Sequence, residues 1–510
     1  MNPKNLEKHE GETIPQENHS TAVSHKDVPG MFDGPLGPLL IRLALPMMMG
    51  MLFNIAYTIV DTYFISSIDP SDPSIIGGSG LIFPVVFLFV AMANGLMIGV
   101  SSLVARAIGE RDNGVLSRVA DSGVALALVL GVLSVLLGYI FSDGIVSAMG
   151  AQGDYARHAL DYFQWILPGL GAMLTMQVLI GVIQGEGQVK YMMRAMILGN
   201  LVNIFLDPFF ILERVAFLPG LNMGVRGAAL ATVLGQSLAA VYLIWVFAAK
   251  KTRVPVAWSP KHVRLHLIEK ILSVGFPQTL AQIMMSVTFL VLNRIMIGID
   301  PRTVTAASLC GRMDQIVLIP IFALSSALMT VVGQNMGRGL MERARKSWRI
   351  GALIAIASVT VTATMMVLLA PLVYSIFTSD ATVLRYSVLQ TYILEYSFLF
   401  AAVAITARAV FQANGRPWPA LVITGLRMLG FVLPFVYIFT SLFHWGIYGV
   451  WGGIIAGNLI VAVLAVTWTE GYWKKLLSGQ AVYQRTGGES SCAVEENIGA
   501  SQESVVMAQE

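Results

Sequence analysis

Long apolar stretches, separated by short polar connections, make up most of this chain. Twelve of them reach the length of about 20 residues that an α-helix needs to cross a bilayer. They lie near residues 38–66, 76–103, 119–141, 159–183, 191–212, 224–248, 268–299, 304–333, 350–377, 388–412, 418–441 and 445–473. Their apolar positions run on continuously and do not alternate as in the strands of a membrane β-barrel. The pattern predicts an all-α polytopic membrane protein.

The composition agrees with this pattern. Hydrophobic residues make up 55% of the chain and charged residues 12%, which is too few charges to cover a soluble protein of 510 residues. The sequence has no basic block of the kind that binds nucleic acid, and no phosphate-binding loop or catalytic motif. We therefore expect a lipid bilayer as its surroundings, with no nucleic acid, no enzyme activity and no cofactor.

Most Lys and Arg residues fall on the connections that share a side with the two termini. By the positive-inside rule, both termini are then cytoplasmic. The polar ends, residues 1–36 and 476–510, are predicted to be disordered cytoplasmic tails. The longest internal polar stretch, residues 249–265, contains Pro255 and Pro260 and is predicted to be a cytoplasmic linker.

Short motifs recur in the two halves of the chain at nearly the same spacing. Three pairs correspond: Pro46 with Pro277, residues 184–187 with 412–415, and residues 105–109 with 333–337. The recurrence predicts two six-helix lobes, residues 37–248 and 266–475. Because six is even, both lobes start on the same side of the membrane, and a pseudo-twofold axis along the membrane normal relates them. Transporters that work by alternating access have this duplication.

Two spans of the first lobe carry a polar stripe that ends in a carboxylate. Both stripes have the helical spacing i, i+3, i+7: Asn54, Tyr57 and Asp61 in the first span, and Asn200, Asn203 and Asp207 in the fifth. An ionisable group at bilayer depth costs about 2.5–3.5 kcal/mol or more, so such residues usually face a hydrated cavity. Both acids lie near the outer end of their span, and we expect them to share one pocket.

Two polar residues of the sixth span, Thr232 and Gln236, are candidates for further walls of this pocket. Two carboxyl groups that lie close together and partly removed from water can share a proton or a cation. The pocket is therefore a candidate site for H⁺ or for Na⁺ bound by Asp61 and Asp207, without a structural metal. The alternative is that both stripes only make hydrogen bonds between helices.

The second half of the chain holds polar residues of another kind. Four charged residues at comparable depth are expected to neutralise one another or to contact a substrate or ion: Arg294, Arg312, Asp314 and Glu395. Three polar residues of the seventh span share roughly one face and are candidate cavity-lining residues: Gln278, Gln282 and Asn293. No carboxylate stands at the repeat positions of Asp61 and Asp207, so we expect the cation site in the first lobe alone.

Three segments resemble the multidrug and toxic compound extrusion (MATE) transporters, especially the branch related to the DNA-damage-inducible F proteins. They are residues 45–65, 184–187 and 203–208, and the resemblance covers about residues 36–475. It implies a V-shaped pair of lobes. It also implies a multi-pass protein of the bacterial inner membrane that exports amphipathic, often cationic, compounds in exchange for a cation.

The resemblance further implies roles for single residues. The matching positions of a first-lobe site for protons or sodium are Asp61, Asn203, Asp207 and Thr232, and the position of Pro46 is tied to bending of the first span. Amide residues of the fourth span often complete that site, and the candidates here are Gln177 and Gln184. We expect a monomer that takes up small amphipathic drugs or dyes.

A lipid or lipid-linked oligosaccharide flippase of the same superfamily is the alternative function. Such flippases often line their cavity with basic residues, and the candidates here are Arg294, Arg312, Arg408 and Arg427. The acidic stripes of the first lobe favour cationic cargo instead. A membrane enzyme or a channel has less support, because the chain shows no catalytic grouping and no recognisable filter.

Overall fold

The computed structural model describes residues 28–68, 72–215, 218–481, 483, 485 and 486. Its α-helices are α1 Leu36–Ser66, α2 Pro73–Leu81, α3 Phe83–Glu110, α4 Asn113–Ala148, α5 Gly153–Ile166, α6 Leu170–Glu186, α7 Val189–Ile211, α8 Val225–Ala248, α9 Leu265–Ile299, α10 Pro301–Gly337, α11 Met341–Phe377, α12 Ala381–Leu394, α13 Phe398–Ala413, α14 Pro417–Gly425, α15 Leu433–Tyr437 and α16 Ile447–Leu477. Two short strands, β1 Arg214–Val215 and β2 Leu218–Pro219, pair antiparallel between α7 and α8.

These helices form twelve spans that are long and apolar enough to cross a membrane, as found in the described part of the chain. Each span overlaps one of the predicted stretches, so the prediction of an all-α polytopic protein is confirmed. Three spans combine two helices each: α5 with α6, α12 with α13, and α14 with α15. The π-helical segment Leu426–Val432 joins α14 to α15, and a second one, Ile438–Leu442, follows α15.

The start of the second span differs from the sequence prediction. The apolar run predicted at 76–103 is divided at Ile82 into the short helix α2 and the spanning helix α3. Pro84 lies in the first turn of α3, where a missing N–H group costs nothing. A Cβ atom on Gly78 would lie 2.8 Å from the carbonyl oxygen of Tyr155, so α2 rests directly on the backbone of α5.

Equivalent residues of the two lobes touch each other between α3 and α10. A Cβ atom on Gly109 would lie 2.8 Å from the Cα atom of its counterpart, Gly337. One turn earlier, a Cβ atom on Gly333 would lie 3.0 Å from the Cβ atom of its counterpart, Ala105. Because repeat counterparts meet only on the axis that relates them, the pseudo-twofold axis passes here. The predicted relation between two six-helix lobes is thereby confirmed.

Hydrogen bonds are repeated across this axis. The hydroxyl of Thr330 donates to the carbonyl oxygen of Gln184 at 2.7 Å. Its counterpart Ser102 donates to the carbonyl oxygen of Gln412, which is the counterpart of Gln184. In the described part of the chain, the hydrogen bonds between the lobes lie from mid-span toward the face that carries the termini. The lobes therefore form a V that opens toward the other face.

Both chain ends pack across the lobe boundary at the face that carries them. Before α1, the carbonyl oxygen of Gly30 accepts a hydrogen bond of 2.8 Å from Arg343 of the second lobe. After α16, the hydroxyl of Tyr483 and the N–H of Thr486 donate to Glu110 of the first lobe, at 2.8 and 3.1 Å. The prediction of disordered tails is wrong for these described parts, because their bonding partners exist only in the assembled interface. The rest of both predicted tails lies outside the described residues.

Two glycines of α9 provide a test of the close contact between the lobes. A Cβ atom on Gly275 would lie 2.8 Å from the carbonyl oxygen of Gly95 on α3, whereas a Cβ atom on Gly298 would meet nothing within 4 Å. We expect Gly275→Ala to lower the free energy of unfolding by about 1–3 kcal/mol through overpacking. Gly298→Ala should be neutral or stabilising, since Ala favours helix. Thermal unfolding of the detergent-solubilised variants measures both effects, and equal midpoints would contradict the inferred contact.

Candidate cation site

Asp207 on α7 is fully buried and is held by an amide side chain one turn away. In the orientation that satisfies all its partners, the amide nitrogen of Asn203 donates to Oδ2 of Asp207 at 3.2 Å. The amide oxygen of Asn203 accepts from the backbone N–H and the hydroxyl of Thr232 on α8, at 3.1 and 3.2 Å. A buried carboxylate is costly unless its charge is compensated, and a bound proton or cation would compensate it.

Asp61 on α1 belongs to the same pocket. It lies within electrostatic range of Asp207, and Tyr57 and Tyr162 each interact with both acids. The Oδ1 atom of Asp61 is buried, and among the described residues it has no hydrogen-bond partner. The structure thus brings together two carboxyl groups and two tyrosines from α1, α5 and α7, with the amide of Asn203 beside them.

Glycines let the helices of this pocket approach each other. A Cβ atom on Gly235 of α8 would lie 2.6 Å from the carbonyl oxygen of Gly199 on α7, four residues before Asn203. A Cβ atom on Gly50 of α1 would lie 2.9 Å from the sulfur of Met196 on α7. Small residues at such crossings allow close packing of helices in lipid. This packing brings α1 and α8 against α7, and it places Asn203 of α7 at bonding distance from Thr232 of α8.

The donor set of the pocket consists of hard oxygen atoms. Carboxylate, amide and hydroxyl oxygens suit H⁺ or a hard cation such as Na⁺ better than a soft transition metal. Among the described residues, no group of three or more His, Cys, Asp or Glu side chains is arranged to hold a metal ion. These oxygen atoms could bind a proton or an alkali cation.

Comparison with known proteins places this arrangement in a family. The MatE family model matches residues 46–209 and 277–438, once in each lobe. The chain belongs to the MATE family. It is accordingly a membrane transporter and not an enzyme, and the family's V-shaped fold is the one described above.

Individual relatives of this MATE transporter cover most of its length. It is 28% identical to the "Probable multidrug resistance protein NorM" of Thermotoga maritima, over 86% of this chain and 93% of that protein. A solved "Outward-facing conformation of a multidrug resistance MATE family transporter of the MOP superfamily" matches at a TM-score of 0.83 and 29% identity, covering 89% of this chain and 100% of the other. The structure "MATE transporter ClbM in complex with Rb+" matches at 0.76 and 33% identity, covering 86% and 96%.

The remaining residues of the two stripes have looser surroundings in this MATE transporter. Asn54 is exposed on α1, and Asn200 is half-buried on α7. Gln236 is half-buried one turn beyond Thr232 on α8. The amide nitrogen of Asn200 is buried, and it has no hydrogen-bond partner in the described part of the chain. These three stay candidate lining residues of the pocket.

The amide residues of the fourth span bond elsewhere. Gln177 on α6 donates to Asn94 of α3 at 3.0 Å, and Asn94 donates to Gln282 of the second lobe at 3.4 Å. Gln184 is buried at the lobe interface, where its backbone oxygen accepts from Thr330. The wall that the resemblance implies for the fourth span is thus not formed by hydrogen bonds from these two residues to the acids. Instead, Gln177 and Gln282 are linked through Asn94, which the sequence analysis missed.

The charged residues of the second lobe do not neutralise one another as predicted. Arg294 and Arg312 are exposed, whereas Glu395 is only 1% exposed and is hydrogen-bonded to Asp314. A hydrogen bond between two carboxyl groups requires a proton on one of them. Mutual neutralisation was the wrong alternative, because similar depth along different spans does not decide which way a side chain faces. Contact with a substrate or ion stays a prediction.

Asn293, a predicted lining residue, and Tyr162, which was not predicted, lie on helices α9 and α5. Asn293 of α9 is half-buried and remains a candidate lining residue. Tyr162 of α5 interacts with both acids. It was missed because α5 carries several other polar side chains, and Tyr162 does not stand out among them. Its neighbour Asp161 forms an ion pair of 2.9 Å with Arg226 at the start of α8, which anchors α5 beside the pocket.

Replacing the amide beside Asp207 tests how the pocket is held together. We expect Asn203→Leu to lower the free energy of unfolding by about 1–3 kcal/mol, because it removes a donor from a buried carboxyl group. Asn200→Leu is the matched control on the same helix and should have a smaller effect, since its amide nitrogen is unpaired. Chemical unfolding of the purified variants measures both, and an equal loss in the two would show that the amide bridge does not stabilise the pocket.

Proposed function

We propose that this MATE transporter exports small amphipathic compounds in exchange for H⁺ or Na⁺, by alternating access. The observation that carries the proposal is the pair of carboxyl groups, Asp61 and Asp207, in a pocket between apolar spans. Such intramembrane acids usually bind ions or protons. A single chain contains both lobes and the cleft between them, so a monomer is sufficient for the cycle.

Cation binding changes the charge of the pocket and hence its preferred shape. Without a cation, two carboxylates in a poorly hydrated pocket repel each other and draw in water. With H⁺ or Na⁺ bound, α1 and α7 can close around a neutral site. Both helices contain a proline, Pro46 in α1 and Pro208 directly after Asp207, where the missing backbone hydrogen bond lets a helix bend. Bending of α1 and α7 would connect cation binding to the shape of the central cleft.

The lobe arrangement supplies the other half of the cycle. The lobes are joined at the face that carries the termini and apart at the opposite face. With the predicted cytoplasmic termini, this is the state that releases substrate outward. Cation entry from outside would favour this state, and substrate binding from the cytoplasm would favour the opposite one. Substrate and cation then exclude each other, which is the requirement for exchange.

The names of the relatives support this reading. The Thermotoga maritima protein is named for multidrug resistance, and the ClbM structure contains Rb⁺. Neither name favours the flippase alternative. The location follows from the same proposal: a multi-pass protein of the bacterial inner membrane with cytoplasmic termini.

Neutralising either acid tests the coupling. We expect Asp61→Asn and Asp207→Asn to abolish gradient-driven efflux of ethidium or norfloxacin from proteoliposomes. Each variant lacks one of the two carboxyl groups that would bind and release the coupling cation. A pH gradient and a sodium gradient, imposed separately, identify the coupling ion.

The exposed Asp143 of α4 provides the matched control, since Asp143→Asn removes an acid outside the pocket. This variant should transport as the wild type does. Efflux by the wild type that responds to neither gradient, or undiminished efflux by both pocket variants, would refute the exchange mechanism.

A further inference from the structure

Two arginines of the second lobe lie in the membrane region and form no ion pair with a described acidic residue. Arg408 is on α13 and Arg427 is in the π-helical segment after α14, and both are half-buried. Among the described residues, neither forms an ion pair with a carboxylate, whereas other arginines of this lobe do so with Glu470. Arg427 lies within electrostatic range of Arg408. No carboxylate among the described residues compensates either guanidinium group by an ion pair.

Amides hold Arg408 in place. Its Nη2 atom donates to Oε1 of Gln278 on α9 at 2.9 Å, and the amide of Gln412 donates to the same oxygen at 2.8 Å. One amide oxygen therefore serves two donors. The Nε atom of Arg408 is buried and has no partner among the described residues. The bond to Gln278 fixes the direction of the guanidinium group but leaves its charge uncompensated.

Arg427 is positioned in a similar way. Its Nε atom donates to Oδ1 of Asn458 on α16 at 2.8 Å, and Asn458 in turn donates to the hydroxyl of Ser397 at 3.4 Å. The backbone around Arg427 is a π-helix, from Leu426 to Val432. Such segments are rare and occur frequently at functional sites, because they shift the direction of the side chains they carry. The guanidinium group of Arg427 is thus also oriented by a neutral side chain.

The position of the pair is next to the apex of the cleft. Gln278, which holds Arg408, is followed after one turn by Gln282, which bonds to Asn94 of the first lobe. Between them, Thr279 donates to the carbonyl oxygen of Ala91, also on α3. Arg408 is therefore attached to the part of α9 that meets the first lobe, on the second-lobe side of the cleft.

Elementary electrostatics indicates what such a pair would bind. A buried charge is costly unless an opposite charge compensates it, and two like charges in range of each other increase that cost. Guanidinium groups bind carboxylates and phosphates through paired N–H donors. An oxyanion between Arg408 and Arg427 would compensate both charges.

We propose that Arg408 and Arg427 form a receptor for an oxyanion, a carboxylate or a phosphate, on the apolar body of the transported compound. The inference rests on the export function proposed above and specifies its substrate class. Compounds that carry such a group, including zwitterions, should bind better than purely cationic ones. It adds to the expectation of amphipathic, often cationic cargo, which came from the family resemblance and from the acids of the first lobe.

Three naphthalene compounds with different charged groups test the receptor by calorimetric titration of the purified protein. They are 1-naphthoate, 1-naphthyl phosphate and 1-naphthylmethylamine, which share the apolar ring system. We expect wild-type protein to bind at least one of the two anions more tightly than the amine, and the two anions separate carboxylate from phosphate recognition. Tighter binding of the amine, or no binding of either anion, would overturn the proposal.

Substitutions locate the site. Arg408→Gln and Arg427→Gln should each weaken binding of the preferred anion about tenfold or more, as expected for the loss of a buried charged hydrogen bond, and should not weaken binding of the amine. The controls Arg294→Gln and Arg312→Gln remove exposed arginines of the same lobe and should change neither. Anion binding that is unchanged in both cleft variants would refute the assignment.

Two further variants separate this proposal from folding defects and from the coupling mechanism. If a glutamine variant is unstable, Arg408→Lys or Arg427→Lys keeps the charge and should retain anion preference over the amine, and loss of that preference would count against the receptor. Failure of gradient-driven export with intact anion binding would refute the proposed exchange, whereas loss of anion preference with intact export would refute only the receptor.

Discussion

The close approach of α3 and α10 on the pseudo-twofold axis is the contact on which the rest of this structure depends. Gly109 and Gly337 bring two backbones together where no side chain would fit. In lipid, helices gain little from the hydrophobic effect, so such tight packing and hydrogen bonds between helices must hold the lobes together. The symmetric bonds of Thr330 and Ser102 reinforce the same place. A joint at one end of a long cleft lets small rotations there produce large movements at the other end.

The two lobes share this frame but differ in their chemistry. At the repeat positions of Asn203 and Asp207, the second lobe has Phe431 and Phe435, whose rings stack at 6.2 Å. Positions that set the crossing of helices must stay small after duplication, whereas side chains that face a cavity can change without disturbing the fold. Asp61 and Asp207 thus have no carboxylate at their repeat positions. The second lobe instead carries the acids Asp314 and Glu395 at other positions.

Much of the fold and part of the candidate site could be predicted from the chain alone. The spans follow from the length of apolar stretches, and the shared face of Asn203 and Asp207 follows from helical spacing. Predictions that required neighbours from distant parts of the chain were less successful. Glu395 bonds to Asp314 and not to an arginine, and Gln177 bonds to Asn94. The break before α3 escaped notice because Pro84 lies within an apolar run whose hydrophobicity hardly changes there.

The sequence by itself determined how many times this chain can cross a membrane, that its two halves correspond, and where along the spans its acids lie. These properties are local, since they depend on hydrophobic length and on spacing within one helix. Only the tertiary structure decided which polar groups come near each other: Asp61 and Asp207 within electrostatic range, and the chain ends hydrogen-bonded to the opposite lobes. These contacts depend on how helices that are far apart in sequence rotate and cross. Packing at small residues sets the rotation and the crossing, and the pattern within a single helix does not show which helix packs there.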